Sequence, residues 1–278
     1  AGAGAGGHGG LLARAWELGA LADPLAAALV AEVGGEAPCG AHPGWESQEV
    51  LAAQFADEGA LAVMGVTGEG ASTDEPVKQA VLLSPGGDSR PYRLPWPSFS
   101  SIFCVTCSQQ HYLDEAGGRL WKDSRPRGCV LVPLSADFAK VQGLGDLLLS
   151  RGYRSNRESL WVLQGLQWAA GFDVENFFEA VQTAADHAAL GSVLIAEVPL
   201  NPSEAEVWMA SHGFLGRVVS LYDAGLKYGR PFEGPRVGSG FSLFVGRQTN
   251  RSLGERETYQ AHLKAAEETD EDFFDNFS

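Results

Sequence analysis

The segment best suited to chemistry is Ser84-Pro85-Gly86-Gly87-Asp88-Ser89-Arg90, which follows directly on the apolar run Ala80-Val81-Leu82-Leu83. A buried strand ending in a glycine turn brings bare backbone to a small molecule, because glycine has no Cβ and accepts left-handed conformations. Asp88 and Arg90 add a carboxylate and a guanidinium at the same place. Cys104-Val105-Thr106-Cys107 is formally C-x-x-C, but it ends the run Ser-Ser-Ile-Phe-Cys-Val-Thr-Cys instead of opening a helix. It has no second such pair and no His pair at ligand spacing, so small buried hydrophobes are expected there, with no metal site. The histidines at 8, 42, 111, 187, 212 and 262 show no H-x-x-x-H spacing. Ser84 lacks the G-x-S-x-G frame of a nucleophile elbow. Gly143-Leu-Gly145 lies in a helix candidate and Gly238-Ser-Gly240 opens a strand, so neither supports a phosphate loop. No catalytic residue is assigned.

Seven short apolar runs must position that turn: residues 77–84, 101–105, 129–134, 159–163, 192–198, 217–221 and 241–247. Helical candidates fall between several of them, at Asp137 to Ser150, Val174 to Ala189 and Ser203 to His212, with Asp173 and Ser203 as N-caps. Gly152, Gly191 and Gly213 stand where helices should stop. Continuous apolar strands separated by helices predict a parallel sheet covered on both faces. The last two runs lack a clear long helix between them, which suits an antiparallel closing strand. Upstream, Leu11 to Val30 has helical spacing broken at Asp23-Pro24, and Ser47 to Met64 forms a second helical pattern with Ser47 as N-cap. The chain therefore divides into a leader (1–10), a helical N-terminal region (11–76), an α/β domain (77–250) and an acidic C-terminal extension (251–278).

Of 278 residues, 20 are Lys or Arg and 35 are Asp or Glu, a net charge of −15. That balance argues against a nucleic-acid partner, whose phosphates need clustered Lys and Arg. No apolar stretch approaches the roughly 18 residues of a membrane span. The four cysteines, at 39, 104, 107 and 129, are too few and scattered for a disulfide framework. Trp96, between two prolines, reads as a packed corner. The Ala/Gly-rich start, without Met, reads as a flexible leader, such as remains when a targeting peptide is removed or a chain is trimmed. An organellar location is one expectation from it. The tail Thr269-Asp-Glu-Asp-Phe-Phe-Asp-Asn-Phe-Ser278 sets Phe273, Phe274 and Phe277 among acids. It reads either as a solvating tail or as a docking peptide for a protein partner.

The order and wording of these pieces resemble the leucine carboxyl methyltransferase family, class I proteins that use S-adenosylmethionine (SAM). Members carry a first strand and turn like V-V-x-L-G-A-G-x-D-T-R-x-Y-R-L, matched by Ala80 to Leu94. Asp146-Leu-Leu-Leu-Ser-Arg-Gly-Tyr153 is similar to the family's L-L-x-A-G-F, Ser159 to Leu166 to its T-x-W-x-x-E-G-L, and Trp208 to Phe214 to its W-L-x-x-H-G-W. The resemblance implies a Rossmann-like, mostly parallel seven-stranded sheet with an antiparallel last strand and a helical N-terminal lid. It also implies a SAM site at the first turn, with Gly86, Gly87, Asp88 and Arg90 as the surviving residues.

Against that pattern, the family's G-A-G has become Ser84-Pro85-Gly86, and proline removes a backbone donor. The acids expected at the ends of strands two, three and four are replaced by Cys104 and Thr106, by Ser135 and by Gln164. A hydroxyl or thiol cannot accept two hydrogen bonds from a ribose diol as a carboxylate does. The sequence thus predicts a methyltransferase-like pseudoenzyme that binds no cofactor and serves as a structural or docking subunit of a larger protein assembly. The alternative is an active SAM-dependent carboxyl or O-methyltransferase in which Asp137 and Asp88 compensate.

Overall fold

The computed structural model describes residues 45–66, 76–107, 116, 119, 122–124, 128–138, 141–169, 173–230, 232 and 240–249. The leader, the Leu11–Val30 pattern, Cys39 and the tail bearing Phe273, Phe274 and Phe277 lie outside the described residues.

All seven apolar runs are strands: β1 (Gln79–Ser84), β2 (Ser101–Cys107), β3 (Val130–Ala136), β4 (Leu160–Leu163), β5 (Val193–Val198), β6 (Phe214–Ser220) and β7 (Ser242–Gln248). They form one sheet in the order β3-β2-β1-β4-β5-β7-β6. β1 to β5 are parallel, and β7 runs antiparallel to both β5 and β6. β3 is an edge strand and carries Pro133 opposite Cys104. β1, β4 and β5 are buried along their whole length, which is why they read as unbroken apolar runs.

Successive side chains on a strand point to opposite faces, so the central strands feed two cores. Val81, Leu83, Phe103, Val105, Trp161, Leu163, Leu194 and Ala196 face α3 (Leu144–Ser150), α4 (Val174–His187) and α5 (Pro202–Ser211). Leu82, Ile102, Val162 and Ile195 face α1 (Trp45–Val63) and α6 (Leu221–Tyr228). Leu51 and Phe55 of α1 belong to this second core, so the helix is a layer of the α/β unit and the boundary near residue 76 does not separate two cores.

Local signals set the helix ends. Asp173 caps α4 as expected, its carboxylate accepting from the Asn176 amide. For α5 the cap is Asn201, not Ser203, because Asn201 accepts from the Glu204 amide and Pro202 opens the first turn. Ser47 lies inside the first turn of α1 and is not its cap. α3 is shorter than the predicted Asp137–Ser150, since Gly143, at φ 88°, holds the chain out of helix until Leu144. The predicted stops at Gly152, Gly191 and Gly213 all have positive φ. Between β6 and β7 the sequence showed no clear long helix; the short α6 stands there, ended by left-handed Gly229.

Tyr153, Ser159 and Trp161, from the sequence motifs, act at the end of the sheet away from the first turn. Tyr153 Oη lies 2.9 Å from Ser159 Oγ and accepts from Trp161 Nε1 at 3.2 Å, all buried, while the Ser159 amide donates to Ser192 Oγ. Trp208 is stacked between Phe178 and His212. Trp96 is the packed corner expected, its Nε1 donating to the Arg90 carbonyl.

Candidate functional site

In open α/β sheets ligands lie beyond the carboxyl ends of the strands where strand order reverses. Here that point lies between β1 and β4. Ser84 ends β1, and residues 84–90 are all buried. Gly86 and Gly87 have φ of 145° and 68°, a path only glycine follows without strain.

The first turn is clamped from inside. Arg90, 1% exposed, opens the short helix α2 (Arg90–Arg93). Its Nε donates to Asp57 Oδ1 of α1 at 2.7 Å, its Nη1 to Asp88 Oδ2 at 3.0 Å, and its Nη2 to Gln164 Oε1 beyond β4. Arg93 pairs with the other oxygen of Asp57 at 2.7 Å. Burial alone would lower the pKa of Arg90, but the charges and hydrogen bonds of Asp88 and Asp57 outweigh it and hold it above its ordinary value. Of the residues assigned to the turn, Asp88, Arg90 and Gln164 are therefore brought together in one network. Gln164 in this structure is an acceptor for Arg90.

Thr106 lies opposite Ser84, and Ser135 lies opposite Thr106, so three hydroxyl residues run in line across β1, β2 and β3. Thr106 is buried and Ser135 exposed. The side chain of Cys104, two residues before Thr106, faces the core beneath α1. Cys104, Cys107 and Cys129 are free thiols, and the described residues contain no group of three or more metal-ligating side chains. Asp137 follows β3 and is exposed.

Sequence reasoning missed the other half of the switch point. Gln48 and Glu49, from the first turn of α1, and Glu197, near the end of β5, are buried at 0%, 2% and 5% exposure. Glu197 accepts from Gln48 Nε2 at 2.6 Å, from Gln167 Nε2 at 2.8 Å and from the Gly165 amide at 3.0 Å. Gln167 Nε2 also reaches Glu49 Oε1 at 3.2 Å. Gly165 is left-handed, φ 68°, and a Cβ there would touch both Glu49 and Pro85 at 3.6 Å, so this cluster abuts the first turn. The available signal was Glu197 itself, a charge inside the otherwise apolar run 192–198. Phe55, Gln164, Glu197 and Leu243, among others, line a tightly packed crevice under α1 that adjoins the cluster.

Tested against SAM, the two halves differ. Gly86 and Gly87 give the bare backbone a nucleoside can approach, and the acceptor-rich cluster suits the positively charged end of that cofactor. On the ribose side the described residues offer the hydroxyl groups of Ser84, Thr106 and Ser135, without the two charged oxygens with which a carboxylate grips a diol. The residues fit the charged end better than the diol.

The profile of the leucine carboxyl methyltransferase family matches residues 12–168. Among curated proteins, the chain is similar to the O-methyltransferase 1, chloroplastic, of Oryza sativa subsp. japonica, at 31% identity over 225 residues, 73% of this chain and 59% of that protein. It is also similar to a putative S-adenosyl-L-methionine-dependent methyltransferase of Mycobacteroides abscessus, at 26% identity over 56% of this chain and 62% of that one. The chain thus spans about three fifths of the length of these relatives. A DUF574 family protein from Streptomyces avermitilis overlays 85% of this chain and 97% of its own with a TM-score of 0.45 and 11% identity. Among the described residues no helix is long and apolar enough to cross a membrane.

Proposed function

The chain belongs to the leucine carboxyl methyltransferase family, and from that premise we propose that it is a SAM-dependent carboxyl or O-methyltransferase with an altered cofactor site. The observation that carries this reading is the pair of carboxylates, Glu49 and Glu197, buried beside Gly165 and Pro85 at the switch point. Burying charge is expensive, so two buried carboxylates at the switch point mark a candidate for function. The acids that the sequence lacks on β2, β3 and β4 have counterparts on α1 and β5.

Bound at the switch point, SAM would supply an electrophilic methyl group. The chain's own part is then mainly alignment, because attack by a carboxylate or hydroxyl oxygen needs position more than acid–base help. Gly86 and Gly87 would floor the cofactor, Thr106 would hydrogen-bond its ribose, and the Arg90 network would keep the turn fixed to α1 and β4. An organellar location joins the proposal on the strength of the rice relative's name, which places that protein in the chloroplast.

A second reading is favoured by the line Ser84–Thr106–Ser135 and by Pro85 in the turn. In it the fold has lost the cofactor and serves as a structural subunit that docks a protein partner, with Phe273, Phe274 and Phe277 as the docking residues. Calorimetric titration with SAM and its demethylated product separates the two. Micromolar binding supports the enzyme; silence at millimolar ligand leaves the structural subunit. Deleting residues 269–278 should then release the protein from its native complex.

A further inference from the structure

Gln48 is wholly buried, and its side-chain oxygen, Oε1, has no hydrogen-bond partner. The orientation of the amide is fixed, because its Nε2 donates to Glu197 Oε1 at 2.6 Å and a reversed amide would set two oxygens against each other. The named donors around it are spent on carboxylates: Gln167 Nε2 on Glu197 and Glu49, the Gly165 amide on Glu197. Glu49 and Glu197 have further interactions of their own. What the cluster lacks is a donor for Gln48. Buried polar atoms are nearly always paired, and an unpaired one costs about 1–3 kcal/mol.

We propose that this nest binds a protonated amino group carried by a small molecule lying across the switch point. The missing partner must bring a hydrogen-bond donor, which a sulfonium centre or a quaternary ammonium does not have. The two carboxylates favour a charged donor over a neutral one, since charge-assisted hydrogen bonds are about twice as strong. Glu49 and Pro85 both flank the space that a Cβ on Gly165 would fill, which puts that amino group at the edge of the first turn. Two molecules could bring it, and naming them rests on the methyltransferase reading: the methyl acceptor, or SAM through its aminoacyl end.

The test uses the full chain, its Gln48→Met and Glu197→Gln variants, and four probes followed by calorimetry and thermal shift. The probes are n-butylammonium chloride, sodium butyrate, S-adenosylhomocysteine and 5′-methylthioadenosine, which lacks the aminoacyl end. Butylammonium is expected to raise the Tm of the unaltered protein and butyrate is not, with the response reduced at least tenfold in affinity in Gln48→Met. If S-adenosylhomocysteine weakens tenfold in that variant while methylthioadenosine does not, the amino group is the cofactor's. If only butylammonium weakens, it is the acceptor's. When neither nucleoside binds the unaltered protein but butylammonium does, the methyltransferase reading fails and the nest stands. Should Glu197→Gln not fold, Gln48→Met, which keeps the buried volume, decides alone. The proposal is overturned if no probe distinguishes the unaltered protein from the folded variants.

Discussion

The guanidinium of Arg90 donates a hydrogen bond to the side-chain oxygen of Gln164, tying the first turn to the end of β4 across 74 residues of sequence. With Asp57 and Asp88 it forms a buried network in which two guanidinium groups, of Arg90 and Arg93, meet two carboxylates. A neutral Gln164 adds an acceptor without adding a third negative charge.

Arg90→Met should therefore destabilise strongly, by about 3–5 kcal/mol, because it removes one of the two guanidinium groups that offset the buried carboxylates, leaving Asp57 to Arg93 alone and taking from Asp88 the guanidinium it pairs with. Gln164→Leu should cost less, about 1–3 kcal/mol, the penalty of one unpaired donor. Urea denaturation of both variants checks the order; equal and small losses would mean that the network does not hold the turn.

Tyr153→Phe should cost about 1–3 kcal/mol by leaving Trp161 Nε1 and Ser159 with fewer partners. Burial pushes the Tyr153 phenol up, outweighing its hydrogen bonds with Ser159 and Trp161, so the hydroxyl stays protonated. Because this network sits at the other end of the sheet, ligand affinity should not move. A calorimetric comparison with the unaltered protein tests that separation.

The central strands were legible because β1, β4 and β5, buried along their whole length, write continuous apolar runs. The helix stops were equally plain, since Gly152, Gly191 and Gly213 take conformations that other residues avoid. The start of α3 was not, because Leu144 and the apolar residues before it keep helical spacing while Gly143 alone breaks the backbone. The site was half legible. Comparison with a family pattern finds positions where a residue has changed, such as Thr106 or Gln164. It is blind to Glu49 and Glu197, which reach the turn from elements with no such motif. Nor can it see that Gln164 answers Arg90, a pairing made only by tertiary contact.

Phe99 offers a different check. It is 84% exposed and left-handed, with φ 69°. A side chain there strains the backbone by about 1 kcal/mol and gains little packing in return. Phe99→Asn should raise stability by about 0.5–1 kcal/mol, read from the denaturation midpoint. A loss instead would show that the ring makes a contact that stabilises the fold.

Glu58 of α1 holds Lys227 Nζ at 2.6 Å and the Tyr228 hydroxyl at 2.5 Å, joining α1 to α6. Burial would raise its pKa, but the hydrogen bonds from Lys227 and Tyr228 and the charge of Lys227 outweigh it and hold it below its ordinary 4.5. A carboxyl whose pKa falls on folding stabilises the fold fully above its unfolded pKa. It loses that contribution as pH falls through the folded value. Both partners are substantially exposed, so the effect is about a few tenths of a kcal/mol. The Tm difference between the unaltered protein and Glu58→Gln should hold steady above about pH 5 and shrink below about pH 4.5. A difference that grows in acid would contradict the pairing.

Pro133 gives the sheet a property that no single domain displays in isolation. The Val130 amide donates to Ser100 on the β2 side, so alternate residues of β3, Leu131, Pro133 and Ser135, turn their backbone outward. The outward row has lost its central donor. A strand from another copy that tried to continue the sheet would meet an interrupted ladder there. At the concentrations where exposed edges polymerise, this border is one along which the protein resists joining to itself.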